Sequence, residues 1–141
     1  MADEVEITIA SHPRWLRVVR GMVREFASEA GFSTRDSDAI TLAVGEAVGN
    51  VIKHSFKGRT DRQFTVECAA RAGVVEFCIR DDGEPFDPDL VPRLRPDELR
   101  AGGRGLYLMH SIMDEVRYER DGDLNVLRMK KALGTPAMER N

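Results

Sequence analysis

The chain has 141 residues, of which 42% are hydrophobic and 32% are charged, the balance of an ordinary globular protein. A chain of this length can bury about 68% of its unfolded surface, so we expect one domain over residues 1–141 that needs no disulfide or structural metal. The net charge of -3 and the lack of an apolar run of transmembrane length argue against a nucleic-acid binder or a membrane protein.

The N-terminal part predicts a strand followed by a helix. The stretch VEITIA, Val5–Ala10, alternates between apolar and polar residues, which is typical of a strand. Ser11 as N-cap and Pro13 in the first turn predict the start of a helix, and Gly31 predicts its end. The predicted buried face of this helix consists of Trp15, Val18, Val19, Met22, Val23 and Phe26.

A second helix is predicted from a cap at Ser33 to about His54. Its apolar stripe is formed by Ile40, Ala43, Val44, Ala47, Val48 and Val51. Beside that stripe, Glu46, Asn50 and His54 follow one another at intervals of four and lie roughly along one face. On its own, this polar stripe is best explained as the solvated boundary of an amphipathic helix.

Two strands, QFTVECAA and GVVEFCIRD, are joined by a tight turn at Arg71–Gly73. A turn centred near Arg71 and Ala72 would place Cys68 opposite Val75 and Cys78 opposite Thr65, so the two thiols would not pair. Unpaired thiols and an acidic N-terminus without signal-peptide character predict a cytoplasmic protein. The predicted shared face consists of Phe64, Val66, Cys68, Val75, Phe77 and Ile79.

The last part of the chain begins with an irregular segment that contains four prolines and four glycines, DDGEPFDPDLVPRLRPDELRAGGRG. A helix, GLYLMHSIMDEV, and two strands near Val116–Tyr118 and Leu124–Lys131 follow, and residues 134–141 predict a frayed tail. The order of elements predicts an α+β two-layer sandwich, with a mixed β-sheet covered on one face by helices.

The stretch GGRGLYLM has the features of an anion-binding helix start. Gly102, Gly103 and Gly105 allow a tight backbone with exposed N–H groups, and Arg104 adds a positive charge. A helix that begins near Leu106 directs its positive dipole end to the same place. A glycine cluster alone is weak evidence, because it can equally be a plain helix start.

At the other end of the irregular segment, the strand IRDDGEPFD ends in Asp81 and Asp82, followed by Gly83 and Pro85. Alone, this stretch would be a hydrophilic turn. Together with the helix and the glycine cluster, however, it resembles the ATP-binding boxes of the superfamily shared by gyrase, sensor histidine kinases and a heat-shock chaperone. The boxes occur in the family's order: E-x-x-x-N at Glu46–Asn50, D-x-G at Asp81–Gly83, and the glycine box at residues 102–105.

The small size and the forms DDGEPFD and GGRGLYLM are most similar to the anti-sigma factor serine/threonine kinases of bacterial partner-switching systems. The resemblance covers nearly the whole chain. It implies a Bergerat-type ATP-binding fold, with ATP and Mg²⁺ as cofactors. There is no Walker-type or H-R-D kinase motif and no domain with a phosphoacceptor histidine, so a P-loop kinase or a self-contained sensor kinase is not expected.

The resemblance also implies roles for single residues. Asn50 would coordinate Mg²⁺, and Glu46, one helical turn earlier, would be the general base. Asp81 would accept a hydrogen bond from the adenine amino group, with Asp82 as the alternative if the register differs by one. Gly83 would let the backbone approach the purine.

Phosphate binding would fall to Gly103, Arg104 and Gly105, with Leu106 at the helix start, and Pro85 is also expected among the cofactor-binding residues. The segment Pro88–Gly102 would form an ATP lid. Lys53 and His54 could reach the phosphates or the lid, but surface positions are the better interpretation for both.

Two functions fit these residues. The first is a serine/threonine-protein kinase and anti-sigma regulator that phosphorylates a STAS-domain anti-anti-sigma antagonist and can then block a sigma factor or another regulator. The alternative is an ATP-gated binding module that sequesters such a regulator without significant kinase activity. Glu46 favours the kinase, because a binder needs no general base. The family resemblance also implies a homodimer.

Overall fold

A computed structural model of the chain describes residues 3–85 and 104–134. The described strands are β1 (Asp3–Ala10), β2 (Gln63–Arg71), β3 (Val74–Asp81), β4 (Glu115–Asp121) and β5 (Leu124–Ala132). The described helices are α1 (Leu16–Glu29), α2 (Thr34–Asn50) and α3 (Arg104–Ile112). The predicted lid, Pro88–Gly102, lies outside these residues, as do residues 135–141 of the predicted tail.

The sheet has the order β1-β2-β3-β5-β4, and every pair of neighbours is antiparallel. The prediction of a mixed sheet is therefore wrong. The strands β1, β3 and β4 run in one direction, and β2 and β5 run in the other. Because β5 inserts between β3 and β4, no two strands of the same direction become neighbours.

The helices cover one face of the sheet, which confirms the predicted α+β two-layer architecture. The predicted shared face of β2 and β3 is buried beneath them, and Phe26 of α1 meets Phe77 of β3 edge to face at 6.4 Å between ring centroids. The other face carries charged side chains, including the ion pair between Arg128 and Glu119. No helix in the described ranges combines the length and the apolarity that a membrane crossing requires.

The first helix differs from its prediction at its start. Trp15 is 38% exposed and Val18 is 49% exposed, whereas the fully buried positions are Val19, Val23 and Ala27. Of the predicted face, Met22 and Phe26 also pack against the core, so the prediction fails only at Trp15 and Val18. Ser11 does not cap the helix, because its hydroxyl donates to the Arg59 carbonyl (2.7 Å) and accepts from the Arg62 N–H (3.1 Å).

The second helix follows its prediction and then changes type. The Ser33 hydroxyl accepts from the Asp36 N–H at 3.1 Å, and the predicted apolar stripe is buried. After Asn50 the chain continues as a π-helical turn, Val51–Ser55, closed by a hydrogen bond of 3.0 Å from the Phe56 N–H to the Val51 carbonyl. A π-helical turn inserts one extra residue and is frequent at functional sites.

The β2–β3 hairpin turns at Ala72 and Gly73, whose φ angles are +53° and +80°. Two positive φ angles define a turn with the twist that suits a two-residue hairpin. Cys68 therefore lies opposite Phe77, and Cys78 lies opposite Glu67, so the predicted register was wrong by one position at the turn. The predicted face was right, and both thiols are buried and unpaired.

The third helix begins at Arg104, one residue before the predicted helix GLYLMHSIMDEV, and ends at Ile112. The predicted helix continued to Val116, but the chain has already joined the sheet there. The Asp114 N–H donates to the Lys130 carbonyl at 2.8 Å, and β4 begins at the next residue.

Candidate functional site

A cavity of about 280 Å³ lies between the helix layer and the sheet, where β3 ends and β5 begins. Most of the surface of its wall is apolar, and about half of the lining residues carry a polar group, a composition that suits a small-molecule site. The lining residues are Ala47, Asn50, Val51, Ser55, Asp81, Pro85, Met109, Tyr118, Glu119, Arg120, Asn125, Val126 and Leu127. Three residues predicted for the site, Asn50, Asp81 and Pro85, are thus brought together.

Asp81 is the most buried charged group of this cavity, with 4% of its surface exposed. Its Oδ1 accepts hydrogen bonds from the Gly83 N–H and from Asn125 Nδ2, both at 2.9 Å. Burial raises the pKa of the Asp81 carboxyl, while hydrogen bonds from Asn125, Gly83 and Ser55 act against that rise. Hydrogen bonds to a buried carboxylate favour its ionised form, which can accept further hydrogen bonds.

The neighbouring Asp82 faces elsewhere. It is exposed and forms an ion pair of 2.9 Å with Arg62, and it does not line the cavity. Of the two aspartates that the sequence left open, the structure places Asp81 in the cavity.

Gly83 packs against the π-helical turn. A Cβ atom at this position would lie 2.6 Å from the carbonyl carbon of Ser55 and 2.8 Å from its Cβ, distances that real side chains do not adopt. The Glu84 N–H also donates to the Ser55 carbonyl at 2.8 Å. The contact that requires glycine here is therefore with Ser55, whereas the sequence predicted an approach to a purine.

The π-helical turn decides which residue follows Asn50 at the cavity. An α-helix would bring His54, four residues on, beneath Asn50. The wider turn brings Ser55, five residues on, to the cavity wall instead. Lys53 and His54 are exposed, in agreement with their interpretation as surface residues.

Glu46 lies one turn before Asn50 and is half-buried. A Cβ atom on Gly105 would stand 3.3 Å from the Glu46 Cβ and 3.4 Å from its Cδ, so the first turn of α3 rests directly on this side chain. The helix box and the end of the glycine box thus meet in space. The positive end of the α3 dipole lies beside the Glu46 carboxylate.

The remaining residues of the glycine box are only partly described. Gly103 lies outside the described residues, and Arg104 is the first residue of α3. Leu106 is 7% exposed and belongs to the hydrophobic core, so only its backbone is available to a ligand.

A family model of the histidine kinase-like ATPase domain matches residues 9–131 of the chain. The chain belongs to the histidine kinase-like ATPase family. Within this family it is 31% identical to the serine-protein kinase RsbW of Listeria monocytogenes, over all of this chain and 94% of that protein. RsbW of Bacillus licheniformis is 33% identical over 92% of this chain and 86% of the relative. These relatives confirm the resemblance to anti-sigma factor serine/threonine kinases.

Solved structures of histidine kinase-like ATPases have the same fold. The RsbU and RsbW domains of a Mycobacterium tuberculosis protein match 99% of this chain and 35% of that chain, with a TM-score of 0.69 and 21% identity. The histidine kinase domain of a blue-light activated kinase from Erythrobacter litoralis matches 89% of this chain and 62% of that chain, with a TM-score of 0.52 and 17% identity.

In this histidine kinase-like ATPase, the sequence did not indicate five polar residues of the cavity, Ser55, Tyr118, Glu119, Arg120 and Asn125. Asn125 lies directly opposite Asp81 in the β3–β5 register. One signal was available, because asparagine is depleted in strands and stands here near the start of one. Its partner could not be found without the strand order.

Proposed function

We propose that this protein is an ATP-dependent serine/threonine-protein kinase that phosphorylates a STAS-domain anti-anti-sigma antagonist in a partner switch. The enzyme class follows from the relatives: the chain is a serine/threonine-protein kinase of the RsbW type. The observation that carries the proposal is that Asp81 and Asn50 line the same cavity. Glu46, one helical turn before Asn50, lies against the first turn of α3.

The cavity fits the adenine end of ATP. Asp81 is a buried acceptor in a largely apolar space, and the amino group of adenine is a donor of matching kind. Pro85 and Met109 supply apolar surface for a purine ring. When bound, ATP supplies the phosphoryl group that is transferred.

The polar stripe of α2 fits Mg²⁺. In the described residues, no group of three or more His, Cys, Asp or Glu side chains is placed to hold a metal. Magnesium does not need such a cage, since it usually keeps several waters and binds through one or two protein oxygens together with phosphates. The amide oxygen of Asn50 would be the protein ligand, and Gly103, Arg104, Gly105 and the Leu106 backbone would hold the phosphates.

Glu46 would orient the hydroxyl of the partner and accept its proton. Its carboxylate is fixed from one side by Gly105, and it shares the α2 face of Asn50. In phosphoryl transfer a carboxylate in this position works largely by orientation, because the transition state is loose.

The partner switch would follow from charge. A phosphate on the STAS protein adds about two negative charges at the interface and would release it, which leaves the kinase able to bind a sigma factor or another regulator. The proposal includes a homodimer that works in the cytoplasm, and Pro88–Gly102 as a lid over the nucleotide.

The test is incubation with γ-labelled ATP and the STAS protein encoded nearby, with Glu46→Gln as the matched variant. We expect label on a Ser or Thr of the STAS protein with the wild type, and a rate about 10²-fold lower with the variant at nearly unchanged ATP affinity. If the wild type binds ATP and the STAS protein without transferring label, the kinase proposal fails and the ATP-gated binding module replaces it.

A further inference from the structure

Asn125 ties the carboxylate of Asp81 to the backbone that follows β3. Its Nδ2 donates to Asp81 Oδ1 at 2.9 Å and to the Glu84 carbonyl at 2.8 Å, with the Gly83 carbonyl at 3.4 Å. The two residues face each other across β3 and β5, so the strand register itself sets this contact. The position of the carboxylate thus depends on a residue 44 positions away in the chain.

Arg120 determines which way the amide of Asn125 points. Its Nη1 donates to Asn125 Oδ1 at 2.8 Å, and its Nε donates to the Gly122 carbonyl at 3.2 Å. A guanidinium can only donate, so the amide oxygen must face Arg120 and the amide nitrogen must face Asp81. Arg120 is itself fixed by the turn between β4 and β5, and it lines the cavity.

The hydrogen bonds from Gly83 and Asn125 fill one oxygen of the Asp81 carboxylate. An ionised carboxylate has roughly four lone-pair sites, two on each oxygen. Gly83 and Asn125 both donate to Oδ1. The acceptor sites of Oδ2 then remain for a donor from the cavity.

We propose that Asn125, oriented by Arg120, is a positioning residue that makes the nucleotide site selective for a base with an exocyclic amino group. It does so by holding Oδ1 of Asp81, so that Oδ2 is left to accept from a group in the cavity. This inference rests on the proposed function, because it takes a purine nucleotide as the ligand.

The chemistry of Asp81 supports this role. Burial is the largest influence on its pKa and raises it, and the hydrogen bond from Asn125 is the largest influence in the opposite direction. Asn125 therefore helps to keep the carboxylate ionised as well as oriented. A protonated Asp81 would present a donor, which an amino group cannot accept well.

A purely architectural role for Asn125 makes a different prediction. If the residue only joined β5 to the segment after β3, its removal would lower stability and would weaken every purine nucleotide alike. The ratio of affinities for two bases that differ in one amino group would not change. This ratio is therefore the decisive measurement.

The experiment compares ATP with purine riboside triphosphate, which lacks the 6-amino group, by calorimetry. We expect the wild type to prefer ATP by about tenfold or more, the value of a hydrogen bond to a charged group. Asn125→Ala should reduce this preference to within about threefold, and Arg120→Met should reduce it to an intermediate value. Arg117→Met is the matched control, since Arg117 lies on the same strand but pairs with Glu115 and Glu119.

Kinetics give a second readout. Asn125→Ala should raise KM for ATP while kcat at saturating ATP stays within about twofold, because the residue acts at the base and not at the transferred group. A folded Asn125→Ala variant with the wild-type preference for ATP would overturn the inference. If that variant does not fold, an unchanged preference in Arg120→Met overturns it instead.

The outcomes also separate this inference from the proposed function. A wild type that binds both triphosphates equally would overturn the selectivity and leave a nucleotide-dependent kinase in place. A wild type that binds neither would remove the proposed function, and this inference with it.

Discussion

Gly105 and Glu46 are in direct contact, and a side chain at Gly105 would take the place of the Glu46 carboxylate. This contact joins two helices whose sequence boxes are almost 60 residues apart, at the point where phosphoryl transfer is proposed to occur. Glycine is needed here because of the Glu46 side chain and not because of the backbone, since the helical conformation of α3 also suits residues with a side chain.

We therefore expect Gly105→Ala to lower phosphoryl transfer by about tenfold or more, because the added methyl group displaces the Glu46 carboxylate. The free energy of unfolding should change by no more than about 1 kcal/mol, because the higher helix propensity of alanine offsets the cost of the new contact with Glu46. Kinase assays and chemical unfolding measure the two effects. Gly21→Ala is the control: a Cβ there meets nothing within 4 Å, so it should only stabilise. Transfer at the wild-type rate in Gly105→Ala would contradict the role of this contact.

Gly83→Ala, in contrast, should act mainly on stability. The methyl group would meet the backbone of Ser55, which cannot rotate away as a carboxylate can. We expect a loss of stability of about 1–3 kcal/mol, the usual cost of overpacking, together with weaker ATP and ADP binding. Urea unfolding and calorimetry test this expectation, and a variant as stable as the wild type would show that the π-helical turn yields easily.

Asp81→Asn should weaken ATP and ADP alike, because the proposed contact is to the base. A charge-assisted hydrogen bond contributes about 1.5–3 kcal/mol, so affinity should fall by about tenfold to a hundredfold or more. Asp82→Asn is the control, and the loss of its exposed ion pair with Arg62 should cost less than about 1 kcal/mol of stability and leave affinity unchanged. If Asp82→Asn alone weakens the nucleotide, the assignment of the base contact is wrong by one residue.

The pH dependence of stability should reveal the buried carboxylate. The pKa of Asp81 is raised above its ordinary value of 3.8, chiefly by burial and slightly by the adjacent Asp82. The folded state then holds the proton more tightly than the unfolded state, so the stabilising effect is complete below that ordinary value and is lost as pH rises through the folded-state pKa. Unfolding of the wild type and Asp81→Asn without nucleotide should therefore diverge in favour of the variant as pH rises. Parallel curves would mean that the pKa is not raised.

Asn50→Ala should abolish the contribution of Mg²⁺ to ATP binding while the fold is kept, because Asn50 lies on the polar stripe and not in the core. Affinity measured with Mg²⁺ should fall to the value measured with a chelator. Lys53→Ala, on the π-helical turn but exposed and away from the cavity, should bind like the wild type. Equal Mg²⁺-dependent affinity in Asn50→Ala and wild type would exclude Asn50 as the metal ligand.

The sequence predicted the order of the elements, the helix-facing side of β2 and β3, and the place of Asp81, Asn50 and Pro85 because each rests on local periodicity or on a recognisable box. It missed what depends on contacts between distant segments. The place of Asn125 beside Asp81 follows from the insertion of β5 between β3 and β4, which no local pattern records.

A second kind of miss came from helix geometry. The interval of four predicted His54 below Asn50, and a single π-helical turn replaced it with Ser55. Nothing in the apolar stripe indicates this turn, since apolar residues such as Val51 and Ile52 are typical of the buried side of a regular α-helix as well. The turn is fixed by distant partners, among them the Glu84 N–H that binds the Ser55 carbonyl.

The order of the strands also governs how the sheet can open. The strands that carry Asp81 and Asn125 lie inside the sheet, whereas β1 is an edge strand in which Ile9 is the one buried residue. Strand β1 can therefore separate from β2 in a local fluctuation that leaves β3 and β5 paired. Amide protons of β1 should exchange with solvent deuterium through such low-energy openings, while those of β3 and β5 should wait for the whole domain to unfold. The proposed contact between Asp81 and the base would thus survive fraying of β1.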